Sequence, residues 1–207
     1  MKKVSKLAVF GGTFSPVHNG HLRALRAFYE TVKPDVLYMI PTAKPPHKIR
    51  QDRATDSQRL DMLRLAVKTL EPEYNVFISD IEMRRGGKSY TVDTIKALLP
   101  TADLVSVYCG TDMLLTLEQW HCFEDLLRMA QIAYMCRFGD LQTAAAAREK
   151  AMDLRRRYGA DIIEIPAVPF AVSSSQIRDM VQRGKAVSAL LPASVEQYIQ
   201  TQGLYRR

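Results

Sequence analysis

The residues best suited to chemistry stand together near the amino end, in Gly11-Gly12-Thr13-Phe14-Ser15-Pro16-Val17-His18-Asn19-Gly20-His21-Leu22. His18 and His21 are three apart, so a helical first turn sets both imidazoles on one side. Two imidazoles placed there can donate hydrogen bonds to phosphate oxygens as charge builds in a transition state. The glycines let backbone approach a phosphate closely, and a helix amino end adds N–H groups and a favourable dipole. A second segment of the same character is Val172-Ser173-Ser174-Ser175-Gln176-Ile177-Arg178. Hydroxyls and free N–H groups at a helix start can cradle phosphate, and Arg178, one turn in, is a forked donor that can neutralise it. An ordinary serine-capped helix is the plain alternative.

Positioning these groups needs a scaffold, and the chain spells out an alternating one. Strands are predicted at Leu7–Phe10, Val36–Ile40, Val76–Ile78, Leu104–Cys109, Ile132–Cys136 and Ile162–Ile165. Helical patterns lie near 19–32, 56–70, 92–99, 118–128, 142–158, 174–183 and 193–202. Such alternation favours a Rossmann-like, doubly wound and mostly parallel sheet with helices on both faces. Thr55 with Gln58, and Ser173 with Gln176, read as capping boxes; Leu60, Leu63, Val67 and Leu70 mark the buried face of the second helix. Pro192 can open the last helix and Gly203 can close it. Right-handed crossovers bring the strands' carboxyl ends to one edge, where open α/β sheets bind ligands.

At 207 residues the chain is expected to be one domain, residues 1–207, with a helical segment from about 173 packed on it. Hydrophobic residues are 47% and charged residues 25%, which excludes general disorder. No apolar run approaches the roughly 20 residues of a membrane span, and the first apolar stretch ends in Gly11-Gly12, as a strand would and a signal peptide would not. Cys109, Cys122 and Cys136 are widely spaced with no Cys-x-x-Cys pair, so buried thiols in a reducing cytoplasm are expected. The net charge of +7 points to polyanionic partners, of which nucleic acid is only one kind. Local basic excesses fall at Lys44–Arg53, Arg84–Lys88 and Arg155–Arg157; the last reads as a solvated helix face.

Three further segments carry cations, hydrogen-bonding groups or a flat ring. Pro45-Pro46-His47-Lys48 stiffens a loop after the second strand, where Lys44, His47 and Lys48 offer cations or donors. Arg84-Arg85-Gly86-Gly87 leads into Ser89-Tyr90-Thr91-Val92-Asp93-Thr94, a helix start that Thr91 would cap. Gly110-Thr111-Asp112-Met113 directly follows a strand, with the single tryptophan, Trp120, just beyond. A carboxylate can accept two hydroxyl donors and a flat indole can stack on an aromatic ring, although an isolated tryptophan is more readily a core residue.

Taken together these segments resemble the nucleotidyltransferases that carry a (His/Thr)-x-Gly-His signature, and within them the bacterial nicotinate-nucleotide adenylyltransferases. The resemblance covers nearly the whole chain. It implies transfer of AMP from ATP to nicotinate mononucleotide, giving nicotinate adenine dinucleotide and pyrophosphate, with Mg²⁺ arriving on ATP and no dedicated metal cage. His18, His21 and Arg178 then act on the phosphates. Gly11, Gly12, Thr13, Phe14, Ser173 and Ser174 form the ATP cradle. Lys44, His47, Tyr90, Thr91, Asp112 and Trp120 line the acceptor site: backbone N–H groups of Tyr90 and Thr91 for the pyridine carboxylate, Asp112 for ribose and Trp120 for the ring. Gly203-Leu204-Tyr205-Arg206 matches the family's usual ending. Ser15 stands where these enzymes usually carry Asp, and Thr111 where they carry a small residue.

Rival readings are an adenylyltransferase for nicotinamide mononucleotide or phosphopantetheine, a non-catalytic nucleotide-binding module, and an RNA-binding protein. Intact His18, His21 and Arg178 disfavour the second; the lack of an aromatic RNA-binding motif disfavours the third. No nucleic-acid or membrane partner is expected, and homo-oligomers are left open.

Overall fold

The alternating pattern folds into a six-stranded, wholly parallel sheet in the computed structural model, which describes residues 3–44, 54–136, 140–166 and 172–206. The strands are β1 (Val4–Gly12), β2 (Val36–Pro41), β3 (Val76–Ile78), β4 (Ala102–Gly110), β5 (Gln131–Met135) and β6 (Ile162–Ile165), in the order β3-β2-β1-β4-β5-β6. That order reverses between β1 and β4, so the crevice at their carboxyl ends is the topological switch point of a doubly wound sheet. Gly11 and Gly12, in register with Ile40 and Pro41, form one lip of it; Gly110, in register with Met135, forms the other.

The described helices are α1 (Asn19–Val32), α2 (Asp56–Val67), α3 (Ile81–Arg85), α4 (Thr91–Leu98), α5 (Thr111–Leu115), α6 (Phe123–Met129), α7 (Leu141–Tyr158), α8 (Ser174–Gln182) and α9 (Ala193–Thr201). Strand alternation divides their packing between two cores. Ala8 and Phe10 face a cluster with Leu25, Met62, Ile177 and Ile199, from α1, α2, α8 and α9. Leu7 and Val9 face another with Ile95, Leu126 and Leu154, from α4, α6 and α7.

The expected strands are all present, and both expected capping boxes close. Four local expectations need correction. The helix expected near 118–128 is broken: Leu117–Gln119 is a 3₁₀ turn, Trp120 is extended, and Cys122 is left-handed at φ 49°, so α6 starts only at Phe123. Helices α3 and α5 carry too few turns for periodicity to reveal. Tyr90, not Thr91, is the residue before α4, and no side chain caps that helix. Cys122 is exposed, whereas Cys109 and Cys136 are buried.

Two sets of charged groups tie elements of the fold together. On α2 the buried face is Arg59, Met62, Leu63, Ala66 and Val67, and Leu60 is only half-buried. Arg59 is wholly buried because its guanidinium donates to the carbonyls of Thr13 and Thr42 at 2.8 Å each and to Asp56 Oδ1 at 2.8 Å. The three arginines late in α7 are all exposed, as a solvated face requires, yet each has a partner: Arg155 donates to the Ile162 carbonyl, Arg156 pairs with Asp153, and Arg157 pairs with Asp153 and Glu118. Lys150 and Arg157 beside Glu118 hold its carboxyl down to about 2, so the turn bearing Trp120 is pinned to α7.

Arg59→Met should leave the half-buried Thr13 and Thr42 carbonyls short of a donor and cost about 3 kcal/mol. Urea unfolding should show a lower midpoint at unchanged slope; an unshifted midpoint would mean that Arg59 does not tie these loops together.

Candidate active site

The histidine turn is built by a reciprocal cap. His18 is the N-cap of α1 with extended backbone, and its Nδ1 accepts from the His21 N–H at 3.3 Å. His21 Nδ1 in turn accepts from the His18 N–H at 3.2 Å, and the two rings stack with centroids 3.6 Å apart. Two imidazoles thus perform what Ser and Glu do in an ordinary capping box. Because each Nδ1 is an acceptor, each ring carries its proton on Nε2. Burial lowers the His18 pKa to about 4; burial, then the neighbouring His18 charge, pushes His21 well below its usual value. At neutral pH the pair is therefore two uncharged rings, each with one Nε2–H donor.

The loop before them is tied down on its carbonyl side. Arg59 holds Thr13 O, Arg178 Nη1 donates to Ser15 O at 2.7 Å, and Ser174 Oγ donates to Pro16 O at 2.9 Å. Asn19 is held by backbone of the segment after α8, its N–H on Leu190 O at 2.9 Å and its Nδ2 on Ala189 O at 3.2 Å. Arg178, Ser173 and Ser174 are thus brought to the histidine turn. Their side chains are committed, however: Ser173 Oγ serves its own capping box, and Arg178 Nη2 lies on Ser175 Oγ at 3.1 Å. The first N–H groups of α8, which have no partner within the helix, remain as anion donors.

The two glycines do different work. A Cβ on Gly11 would meet nothing within 4 Å, so this backbone is open to a ligand. A Cβ on Gly12 would lie 2.9 Å from the Phe14 ring. Phe14, left-handed at φ 49°, is itself a core residue whose ring meets the edge of His21 at 5.1 Å. Gly12 is thus required by packing, and only the backbone of Phe14 can belong to a cradle.

Across the crevice, Ser89 joins the β2 exit to the start of α4. Its Oγ accepts from Ala43 N at 3.0 Å and Lys44 N at 3.4 Å, and its N–H donates to Lys44 O at 2.9 Å. Beneath it, Thr94 Oγ1 donates to buried Glu82 Oε1 at 2.9 Å, and Arg85 Nη2 reaches Thr94 Oγ1 at 3.1 Å and Tyr90 O at 3.4 Å. Burial raises the Glu82 pKa against the opposing hydroxyls of Ser89 and Thr94 and the charges of Arg85 and Arg59. The Tyr90 ring lies 4.3 Å from that of His121, which joins the Tyr90–Thr91 turn to the half-buried Trp120. Asp112 is exposed in the first turn of α5, which starts at the Gly110 lip. Lys44, Tyr90, Thr91, Asp112 and Trp120 therefore stand around the crevice, while His47, with Pro45, Pro46 and Lys48, lies outside the described residues.

Comparison with known proteins places the chain in a family. The cytidylyltransferase-like family model matches residues 9–180. A probable nicotinate-nucleotide adenylyltransferase of Bacillus pumilus (strain SAFR-032) is 36% identical, covering 98% of this chain and 99% of its own. One of Thermoanaerobacter sp. (strain X514) is 32% identical, covering 100% and 97%. The chain belongs to the cytidylyltransferase-like family, among its nicotinate-nucleotide adenylyltransferases. The fold agrees as well: the structure of Plasmodium falciparum nicotinic acid mononucleotide adenylyltransferase complexed with NaAD superimposes at a TM-score of 0.77, with 16% identity over 97% of each chain.

Against that family's usual form, Thr111 is explained by structure. It is buried, and its Oγ1 donates to Met135 O at 3.0 Å, fastening α5 to the end of β5. Sequence reasoning missed Arg59, Glu82 and His121, and gave Arg85 only as part of a basic segment. Of the three missed, Arg59 alone left a trace, a cation set among the apolar positions of a helix.

Gly12→Ala should lower the melting temperature by several degrees, since overpacking costs about 1–3 kcal/mol. Gly11→Ala should leave melting nearly unchanged and weaken ATP binding at least fivefold in calorimetry. Equal behaviour of the two variants would remove the distinction drawn here.

The histidine cap also sets a pH response. Folded-state pKa values below the unfolded value of 6.5 mean that the unfolded chain binds protons first as pH falls. Stability should be full above pH 6.5 and decline between there and about 4. Chemical denaturation across this range should show the decline, and a His18→Asn/His21→Gln double variant should flatten it.

Proposed function

We propose that this chain transfers AMP from ATP to nicotinate mononucleotide, releasing pyrophosphate and forming nicotinate adenine dinucleotide in NAD biosynthesis. The observation that carries this reading is the reciprocal histidine cap at the switch point, facing a second helix start that carries Arg178. A phosphate oxygen of the mononucleotide attacks the α-phosphorus of ATP, and the bond to the β-phosphate bridging oxygen breaks. The nucleophile comes with the substrate, so catalysis is positioning and charge stabilisation.

His18 and His21 donate Nε2–H bonds to the ATP phosphates. The start of α8, at Ser173 and Ser174, and Arg178 take the departing pyrophosphate. The open backbone of Gly11 and Thr13 lets the triphosphate come close, with Gly12 and Phe14 shaping the turn behind it. Tyr90 and Thr91 present backbone N–H groups to the pyridine carboxylate. Trp120 offers a ring face, Asp112 accepts ribose hydroxyls, Lys44 adds a donor from the β2 exit, and His47 adds another. Mg²⁺ enters as part of the ATP substrate, held by phosphates and water.

The chain acts as one nucleotidyltransferase unit, residues 1–207, with its segment from about 173 completing the phosphate site. Nucleic acid and membranes are not partners in this reading; among the described residues no helix is long and apolar enough to cross a membrane. Free thiols favour a reducing compartment such as the cytoplasm. A homo-oligomer is compatible with it.

Incubation with Mg-ATP and either mononucleotide, followed by product identification, tests the reaction. Nicotinate mononucleotide should be preferred at least tenfold in kcat/KM over the nicotinamide form, whose NH₂ would meet a donor where the carboxylate meets an acceptor's need. His18→Ala and His21→Ala should each lower turnover by about 10²–10³-fold. Each also loses a helix cap worth about 1 kcal/mol, far too little to account for that fall. Normal turnover in both variants, or equal use of the two mononucleotides, would overturn the respective assignment.

A further inference from the structure

The turn between Gly12 and His18 has a second support that the transfer reading leaves unused. Ser15 is fully buried, and its Oγ shares a hydrogen bond of 3.1 Å with the Tyr205 hydroxyl, 190 residues along the chain. Tyr205 reaches it through an unusual backbone. After α9, Gly203 is left-handed at φ 60°, the Leu204 N–H returns to Ile199 O at 3.0 Å, and Tyr205 is itself left-handed at φ 63°. Such a conformation is unfavourable for a tyrosine and persists only where its surroundings enforce it. Here it turns Leu204 and Tyr205 inward, into the same core as Phe14 and Val17.

Ser15 is also the residue whose carbonyl holds Arg178. The bond from Tyr205 to the Ser15 side chain and the bond from Arg178 to its carbonyl therefore share one peptide frame. Resting on the reading of this crevice as an ATP site, we propose that Tyr205 is a positioning residue for the triphosphate: its hydroxyl fixes Ser15, and Ser15 fixes the reach of Arg178 beside the histidine turn. Without that hydroxyl, Ser15 Oγ is left buried without this partner. Burial of an unpaired hydroxyl is unfavourable, so the turn gains by a backbone rotation that carries the whole of Ser15 away. Its carbonyl moves with it, and Arg178 is released from the geometry that phosphate needs. If Ser15 carries no hydroxyl, nothing drives that rotation, and Ser174 on Pro16 still holds the turn.

The test is calorimetric binding of Mg-ATP and, separately, of nicotinate mononucleotide, with thermal melting alongside. Tyr205→Phe should weaken Mg-ATP binding about five- to tenfold, leave the mononucleotide within twofold, and move melting by only a few degrees. Adding Ser15→Ala to Tyr205→Phe should return Mg-ATP affinity to within about threefold of the unaltered chain. Unchanged Mg-ATP affinity in Tyr205→Phe would overturn the proposal, as would equal weakening of both ligands, or a double variant no better than the single one. These readouts do not need turnover. A chain that binds Mg-ATP as described but forms no dinucleotide would refute the transfer reading and leave Tyr205 its role; one that binds no Mg-ATP would refute both.

Discussion

Everything at this site depends on where three backbone carbonyls find donors. The chain leaves β1, turns within a few residues and enters α1, and Thr13, Ser15 and Pro16 turn their oxygens into the protein on the way. A carbonyl shut away from water must be paired. No neighbour in sequence supplies the donors. They come from Arg59 on α2, Arg178 on α8 and the Ser174 hydroxyl, so the turn cannot form correctly until distant parts of the chain have docked. This one demand explains a fully buried arginine on an otherwise apolar helix face. It also explains why the segment from α8 onward closes over β1 rather than standing apart.

The electrostatic character of the site follows from the same economy of donors. The histidines are often pictured as cations because phosphate is an anion. Here each ring gives its Nδ1 to a backbone N–H, and burial holds both pKa values down. The pair therefore offers two oriented neutral donors, while fixed positive charge nearby belongs to Arg178. Neutral donors that need no rearrangement stabilise charge as it develops and hold a product less strongly than a cationic cluster would. The net charge of +7 is a property of the whole surface and does not describe this crevice.

On the acceptor side the scaffold is polar and continuous. Glu82, Thr94 and Arg85 support the start of α4 from below, Ser89 fastens it to the β2 exit, and the Tyr90–His121 contact carries it to the Trp120 turn. That turn is in turn anchored through Glu118 to Lys150 and Arg157 on α7. An exposed aromatic ring would sample many rotamers. This one is packed against the second core, and its turn is held by the ion pairs of Glu118, which limits the orientations it can offer to a planar ligand.

What the sequence determined by itself was local: strand and helix order, both serine and threonine capping boxes, the glycine-rich turn with its two histidines, and the second helix start with Arg178. These are legible because hydrophobic period and cap chemistry act over a few residues. The resemblance of several separate segments to one family was legible for the same reason. The tertiary structure decided which groups these local pieces use up. It spent the Ser174 hydroxyl on holding the turn, made Gly12 a packing requirement of Phe14, and broke the helix expected before α6 around Trp120 and Cys122. It buried Arg59 and joined Ser15 to Tyr205. The bonds made by Ser174, Arg59 and Ser15 could not be read from spacing, because a hydrogen bond between residues far apart in sequence leaves no period behind. Its only sequence trace is a polar residue where a pattern would have placed an apolar one.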